Sequence, residues 1–182
     1  PRPPAFVVVV ATVLVLNIVG LVMILSASAV SALSAYGSSW YFFNRQLTWA
    51  LAGAAAFVVT SRLDYRTWIR LTPGVYVATI VTLGMVLVPN VGIEVDGARR
   101  WLGSESMRFQ PSELAKLALV LAVAELLSRR AGAIDDVRTV LRPALVLLAV
   151  PAALIMFEPD LDSTIVLALV VFAMLVVSGV PT

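Results

Sequence analysis

The chain has 182 residues, of which 60% are apolar and 13% charged, with a net charge of +2; globular proteins run at about 45–50% and about 25%. With a mean hydropathy of +0.98 and apolar stretches near the ~20 residues that cross a bilayer, this composition implies an all-α, polytopic integral membrane protein. It excludes a secreted disulfide scaffold, a cytosolic enzyme and a nucleic-acid module. Cysteine and histidine are absent, so chemistry in this chain must use carboxylates, Lys, Arg or hydroxyls rather than thiols, imidazoles or ordinary zinc ligands.

The chain opens Pro1-Arg2-Pro3-Pro4 without an initiator Met and is expected to be a piece of something longer. The first apolar run, Phe6 to Val30, is longer than the ~7–15 residues of a signal-peptide core and reads as a membrane anchor. Ser38 to Gln46 carries Trp40, Tyr41, Phe42 and Phe43, the aromatic composition of a membrane interface. A second crossing is expected over Leu47 to Ser61, and a charged turn, Arg62-Leu63-Asp64-Tyr65-Arg66, leads to a third over Ile69 to Val88. A polar loop from Pro89 to Ser112 precedes a fourth crossing that begins at Pro111, where a helix loses no needed N–H, and ends at Leu127. Leu141 to Phe157 forms the fifth; its Pro151 is expected to kink it and free a carbonyl that a neighbouring helix must satisfy. Glu158-Pro159-Asp160-Leu161-Asp162 makes a hairpin into the sixth, Ser163 to Val180.

Six crossings place Arg2, Arg62, Arg66, Arg70, Arg129, Arg130, Arg138 and Arg142 on one side, and Arg45, Arg99, Arg100 and Arg108 on the other. The positive-inside tendency then puts the N-terminus in the cytoplasm, and the 89–112 loop and the 158–162 hairpin outside. No repeat or low-complexity tract divides the chain, so residues 1–182 are expected to form a single transmembrane helical domain.

Three polar clusters depart from the pattern, all near the expected outer face, and charge beside hydrocarbon is a default functional candidate. Arg99 and Arg100 offer guanidinium forks suited to phosphate, or alternatively pair with Glu94, Asp96 or Glu105. In Gln110-Pro111-Ser112-Glu113-Leu114-Ala115-Lys116, Glu113 and Lys116 share a helix face and can pair, while Glu113 also complements the helix N-terminus. Glu158, Asp160 and Asp162 crowd three carboxylates into five residues. Such crowding raises a pKa or attracts a cation, and Asp160 or Asp162 alternatively caps the sixth helix. The D-x-D spelling matches a divalent-metal motif in three letters only.

Taken together, Gly97-Ala98-Arg99-Arg100-Trp101, Phe109-Gln110-Pro111-Ser112-Glu113-Leu114-Ala115-Lys116 and Glu158-Pro159-Asp160-Leu161 closely resemble the SEDS family of bacterial cell-wall polymerases. Its members include FtsW for division and RodA for elongation, and Arg45-Gln46 with Arg62 to Arg66 look more like FtsW. The resemblance implies an enzyme of about ten spans, in the bacterial cytoplasmic membrane, that polymerises lipid II on the outer face beside a class B penicillin-binding transpeptidase and other division or elongation proteins. It implies that Glu113, Lys116 and Asp160 line a central cavity and that a catalytic Asp lies beyond Thr182. Arg99, Arg100, Gln110 and Ser112 complete the expected substrate-binding set; no metal ligand is assigned, although a divalent cation (Mg or Mn) is expected at the leaving pyrophosphate. Where the family commonly has Gly after P-D-L, Asp162 stands here. A lipid II flippase and a non-catalytic division scaffold are the alternatives, distinguished by the length of the glycan product and by complementation.

Overall fold

The computed structural model describes residues 4–95, 97–104, 108–133 and 136–180. Arg2, Asp96, Glu105 and Thr182, which entered the sequence reading, lie outside them. The described residues form six helices and a small sheet, in two compact units that divide between Leu63 and Asp64.

The first unit holds α1 (Pro4–Tyr36) and α2 (Tyr41–Thr60). At ~1.5 Å per residue α1 is about 50 Å long, well beyond the ~30 Å hydrocarbon core. It ends at Gly37, whose φ of +69° suits the left-handed position after a helix and whose N–H bonds Leu33 O at 3.0 Å. Only Gly37 to Trp40 separates the two helices, so the aromatic stretch expected to precede the second crossing is the first turn of α2. Tyr36 stacks on Tyr41 with ring centroids 3.9 Å apart, and Phe42 meets both rings edge-on. Aromatic rings concentrated at one turn between apolar helices match the composition of a membrane interface.

The second unit holds α3 (Tyr65–Leu87), β1 (Ile93–Val95), β2 (Ala98–Gly103), β3 (Arg108–Phe109), α4 (Pro111–Arg129), α5 (Val137–Phe157) and α6 (Leu161–Val177). Asp64 starts α3 by accepting from Arg66 N at 2.8 Å, and Asp136 starts α5 through Arg138 N at 3.1 Å. Both helices begin four residues before the apolar runs expected for them, because a cap sets a helix start whatever the hydropathy of the first turn. The central helix is α4, which packs against α3, α5 and α6. Its buried face is built largely of small residues, Ser112, Ala115, Ala118 and Ala122, which let neighbouring backbones approach. On α6 the buried residues Ser163, Leu167, Val171 and Leu175 recur every four positions, and the other faces expose large apolar side chains, as at Leu169, Phe172 and Val177. That one-sided burial suits a helix with lipid around it.

Helices α1, α3 and α5 are long and apolar enough to cross a membrane, and α6 is an apolar helix of 17 residues. Two prolines in α5 show how the bundle holds them. Pro143 and Pro151 lack the N–H that would bond the carbonyls of Thr139 and Leu147 four residues earlier. Arg130 donates from its guanidinium to Thr139 O, and the Tyr76 hydroxyl on α3 donates to Leu147 O at 2.7 Å. The expected satisfaction of the Pro151 carbonyl from a neighbouring helix is therefore present, and Pro143 has its own.

The loop expected over 89–112 contains an antiparallel meander in the order β1-β2-β3. Val95 faces Ala98, Glu94 faces Arg99 and Leu102 faces Phe109. Gly97, with φ +79°, turns the first hairpin. Gly92 passes so close to the end of α3 that a Cβ there would collide with Val86 O.

Candidate functional site

The site lies where the meander, the start of α4 and the α5–α6 hairpin meet. Pro111 is the first residue of α4, and Glu113 sits in the first turn, where its charge complements the helix N-terminus. One turn on, Lys116 Nζ lies 2.7 Å from Glu113 Oε1, with Lys116 about one-third and Glu113 more than half exposed. Ser112 is fully buried and its hydroxyl has no partner among the described residues.

Asp160 is buried and caps α6. It accepts from Ser163 N at 3.2 Å and from Ser163 Oγ at 2.7 Å, and Gln110 Nε2 reaches it at 3.5 Å. This last contact ties the start of α4 to the hairpin. Among the described residues no hydrogen bond or ion pair joins Asp160 to Glu113 or Lys116, so the seven sequence-assigned positions form neighbouring groups rather than one connected network. Asp162 occupies the first turn of α6, exposed and at an ordinary φ, so a residue with a side chain fits there and adds charge favourable to that helix end.

The two arginines have different roles. Arg99 Nε meets Glu94 Oε2 at 3.4 Å across the β1–β2 pair, with both side chains about half exposed. Arg100 turns toward the hairpin and donates from Nη2 to Pro159 O at 2.6 Å, while its Nε is buried and without a partner among the described residues. The pairings with Asp96 or Glu105 fall outside the described residues.

Glu158 was grouped with the crowded carboxylates in the sequence but assigned no role. It is 1% exposed, and among the described residues neither carboxylate oxygen has a hydrogen-bond partner. Burial, reinforced by Asp160 and opposed by Arg100, pushes its carboxyl up to about 8. The sequence signal was Glu before Pro at the end of an apolar run; what it lacked was the meander folded over that end. A cavity of about 250 Å³ lies there, lined among others by Glu94, Arg99 and Glu158. Among the described residues, the buried side-chain polar atoms without a partner belong to Arg100, Arg108, Ser112 and Glu158, all at this end of the bundle. Native proteins leave few such groups, and a cluster of them calls for a ligand, water or a catalytic role.

Among the described residues no three carboxylates gather as metal donors. Asp160 accepts from Ser163 and Gln110 as it caps α6, and Asp162 is exposed.

A helical bundle with apolar outer faces, capped at one end by a meander over buried carboxylate and guanidinium groups, defines a multi-pass membrane protein with a polar site at one end. The sequence profile of the Cell cycle protein family, which groups FtsW, RodA and SpoVE, matches residues 6–182, and the chain belongs to this family. It is 36% identical over 177 residues to the probable peptidoglycan glycosyltransferase FtsW of Mycobacterium tuberculosis, covering 97% of this chain and 34% of that protein. With stage V sporulation protein E of Bacillus subtilis it shares 35% identity over 176 residues, 97% of this chain and 48% of the relative. The fold is similar to Thermus thermophilus rod shape determining protein RodA, with a TM-score of 0.67 at 32% identity over 89% of this chain and 54% of that one. A chain from a study of polymerization and crosslinking by a peptidoglycan synthase complex aligns with a TM-score of 0.69 at 33% identity, over 89% of this chain and 48% of that one. The chain thus spans about a third to a half of the length of these proteins.

Proposed function

We propose that the protein is a membrane peptidoglycan glycosyltransferase that joins lipid II units into glycan strands, and that this chain supplies the polar wall of its substrate cavity. The carrying observation is the concentration of unpartnered buried polar groups at the meander end, in a chain whose relatives include probable peptidoglycan glycosyltransferases. In this reading the meander end faces outward from the bacterial cytoplasmic membrane and the N-terminus is cytoplasmic, as the arginine distribution favours. A class B penicillin-binding transpeptidase is the proposed partner.

The chemistry divides by residue. Glycosyl transfer needs a base for the attacking sugar hydroxyl and stabilisation of the leaving pyrophosphate. The base is assigned to an Asp beyond Thr182, as the family resemblance implies. Lys116, held by Glu113, presents a cation one turn inside the start of α4, and Arg99 offers a second at the rim of the meander; both suit an anionic headgroup. Asp160 and Gln110 position the hairpin against α4. For the divalent cation expected at the leaving group, no three carboxylates gather as donors among the described residues.

The test is polymerisation of labelled lipid II by the complete protein with its transpeptidase partner, beside Glu113→Ala and Lys116→Ala variants that retain normal folding. The expected result is long glycan strands from the parent and a loss of about 10²-fold in each variant, the scale of removing one preorganised electrostatic group. Lipid II moved across a bilayer but left unpolymerised would replace the polymerase with a flippase. Wild-type rates in both variants would remove the α4 pair from the substrate wall.

A further inference from the structure

The cavity beneath the meander is walled by Leu87 at the end of α3, Glu94 and Ala98 on the β1–β2 hairpin, Arg99, and Phe157 and Glu158 where α5 ends. Its volume of about 250 Å³ lies below the ~300–1,000 Å³ of pockets that take whole drug-sized molecules, so it suits one part of a larger substrate. Resting on the polymerase reading above, we propose that this cavity is a sugar-recognition subsite in which Glu158, as a neutral acid, donates a hydrogen bond to an uncharged oxygen of the substrate, an amide carbonyl or a hydroxyl.

Two independent features carry this. Glu158 is buried, lines the cavity, and has both oxygens without a hydrogen-bond partner among the described residues, which leaves its hydrogen-bonding capacity open to a ligand. The surrounding charges also select the ligand's chemistry. Asp160 stands two residues away, Glu94 is engaged with Arg99, and Arg100 directs one N–H to Pro159 O; α3 contributes the apolar Leu87. Among the described residues Glu158 has no ion pair, so an ionised carboxylate here would be buried without a bonded counter-charge, which is costly. Among the described residues no further carboxylates gather with it as metal donors. A neutral carboxylic acid satisfies itself by donating one hydrogen bond and accepting another, which matches an amide or a hydroxyl. Burial and the neighbouring Asp160 hold the carboxyl at about 8, so the neutral form dominates at pH 7.

The test is equilibrium binding of fluorescent lipid II to the complete protein in nanodiscs at pH 7 and pH 9, with glycan polymerisation followed in parallel. The wild type is expected to bind about tenfold more weakly at pH 9, as the competent neutral fraction falls. Glu158→Gln keeps an uncharged donor and is expected to bind near the wild-type pH 7 affinity at both pH values. Glu158→Ala is expected to bind more weakly at both. Wild-type binding that is flat with pH, or that tightens as pH rises in the manner of a cation held by a carboxylate, overturns the subsite; so does a Gln variant as weak as Ala. In each of those cases, strand synthesis by the wild type leaves the polymerase reading standing. A wild type that neither binds nor polymerises lipid II overturns that reading and this one with it.

Discussion

The two ends of the α3–α6 unit handle buried polar groups in opposite ways. At the end where α4 gives way to α5, Thr139 O takes Arg130, Asp136 caps α5, and Glu125 pairs with Arg129 at 2.7 Å. Deeper in the bundle Leu147 O takes Tyr76. At the meander end Arg100, Arg108, Ser112 and Glu158 keep buried polar atoms unsatisfied. Both ends belong to one bundle with one packing core, so incomplete packing is a poor account of the difference. Prolines make defects that must be repaired before the chain can sit in lipid. Native proteins leave few such groups unrepaired, which makes the meander end the candidate site.

Breaking this comparison is most direct at Glu158. Its folded-state carboxyl lies at about 8 against an ordinary 4.5, so between those values the folded protein holds a proton that the unfolded chain releases. Stability is therefore full below about pH 4.5, declines as pH rises toward 8, and is level above it. Glu158→Gln is expected to be clearly more stable than the parent at pH 9 and equal to it at pH 4, by unfolding of the complete protein in detergent. A stability difference that does not change with pH would show that Glu158 is not held neutral.

A smaller effect is expected at the satisfied end. Tyr76→Phe removes the donor to Leu147 O with little change in shape and is expected to destabilise by about 1 kcal/mol, the scale of a hydrogen bond lost inside a bundle. Unfolding midpoints would measure it, and polymerisation at folding-permissive temperature should be unchanged. A loss of activity without a loss of stability would move Tyr76 from scaffold to site.

Least of all is expected for stability at Arg99, whose pair with Glu94 is about half exposed. Arg99→Gln should change stability by no more than about 0.5 kcal/mol, while lipid II binding falls if the rim cation meets the headgroup. Equal binding would sharpen the comparison by confining the site to the buried groups.

The helices were legible in the sequence because apolar runs near bilayer length report themselves by composition, and Pro111 marked the start of α4. Their starts were less legible at α3 and α5, where Asp64 and Asp136 set the first turn ahead of the hydrophobic run. The meander was missed although Ile93-Glu94-Val95 alternates and Asp96-Gly97 is a hairpin signal; three short strands in a polar stretch gave too little periodicity to stand against a loop.

The sequence by itself determined that this is a multi-pass helical membrane protein, that this chain offers Arg, Lys, carboxylate and hydroxyl groups rather than thiols or imidazoles, and that Glu113 and Lys116 can pair, because residues three apart on a helix share a face. Only the tertiary structure decided which carboxylate of the hairpin would be tied down and which left open. Asp160 follows the rule for a helix start and is consumed by it, whereas Glu158 becomes a buried, unpartnered acid because a strand pair distant in sequence folds over it, and burial is a property of what packs against a residue rather than of the residue itself.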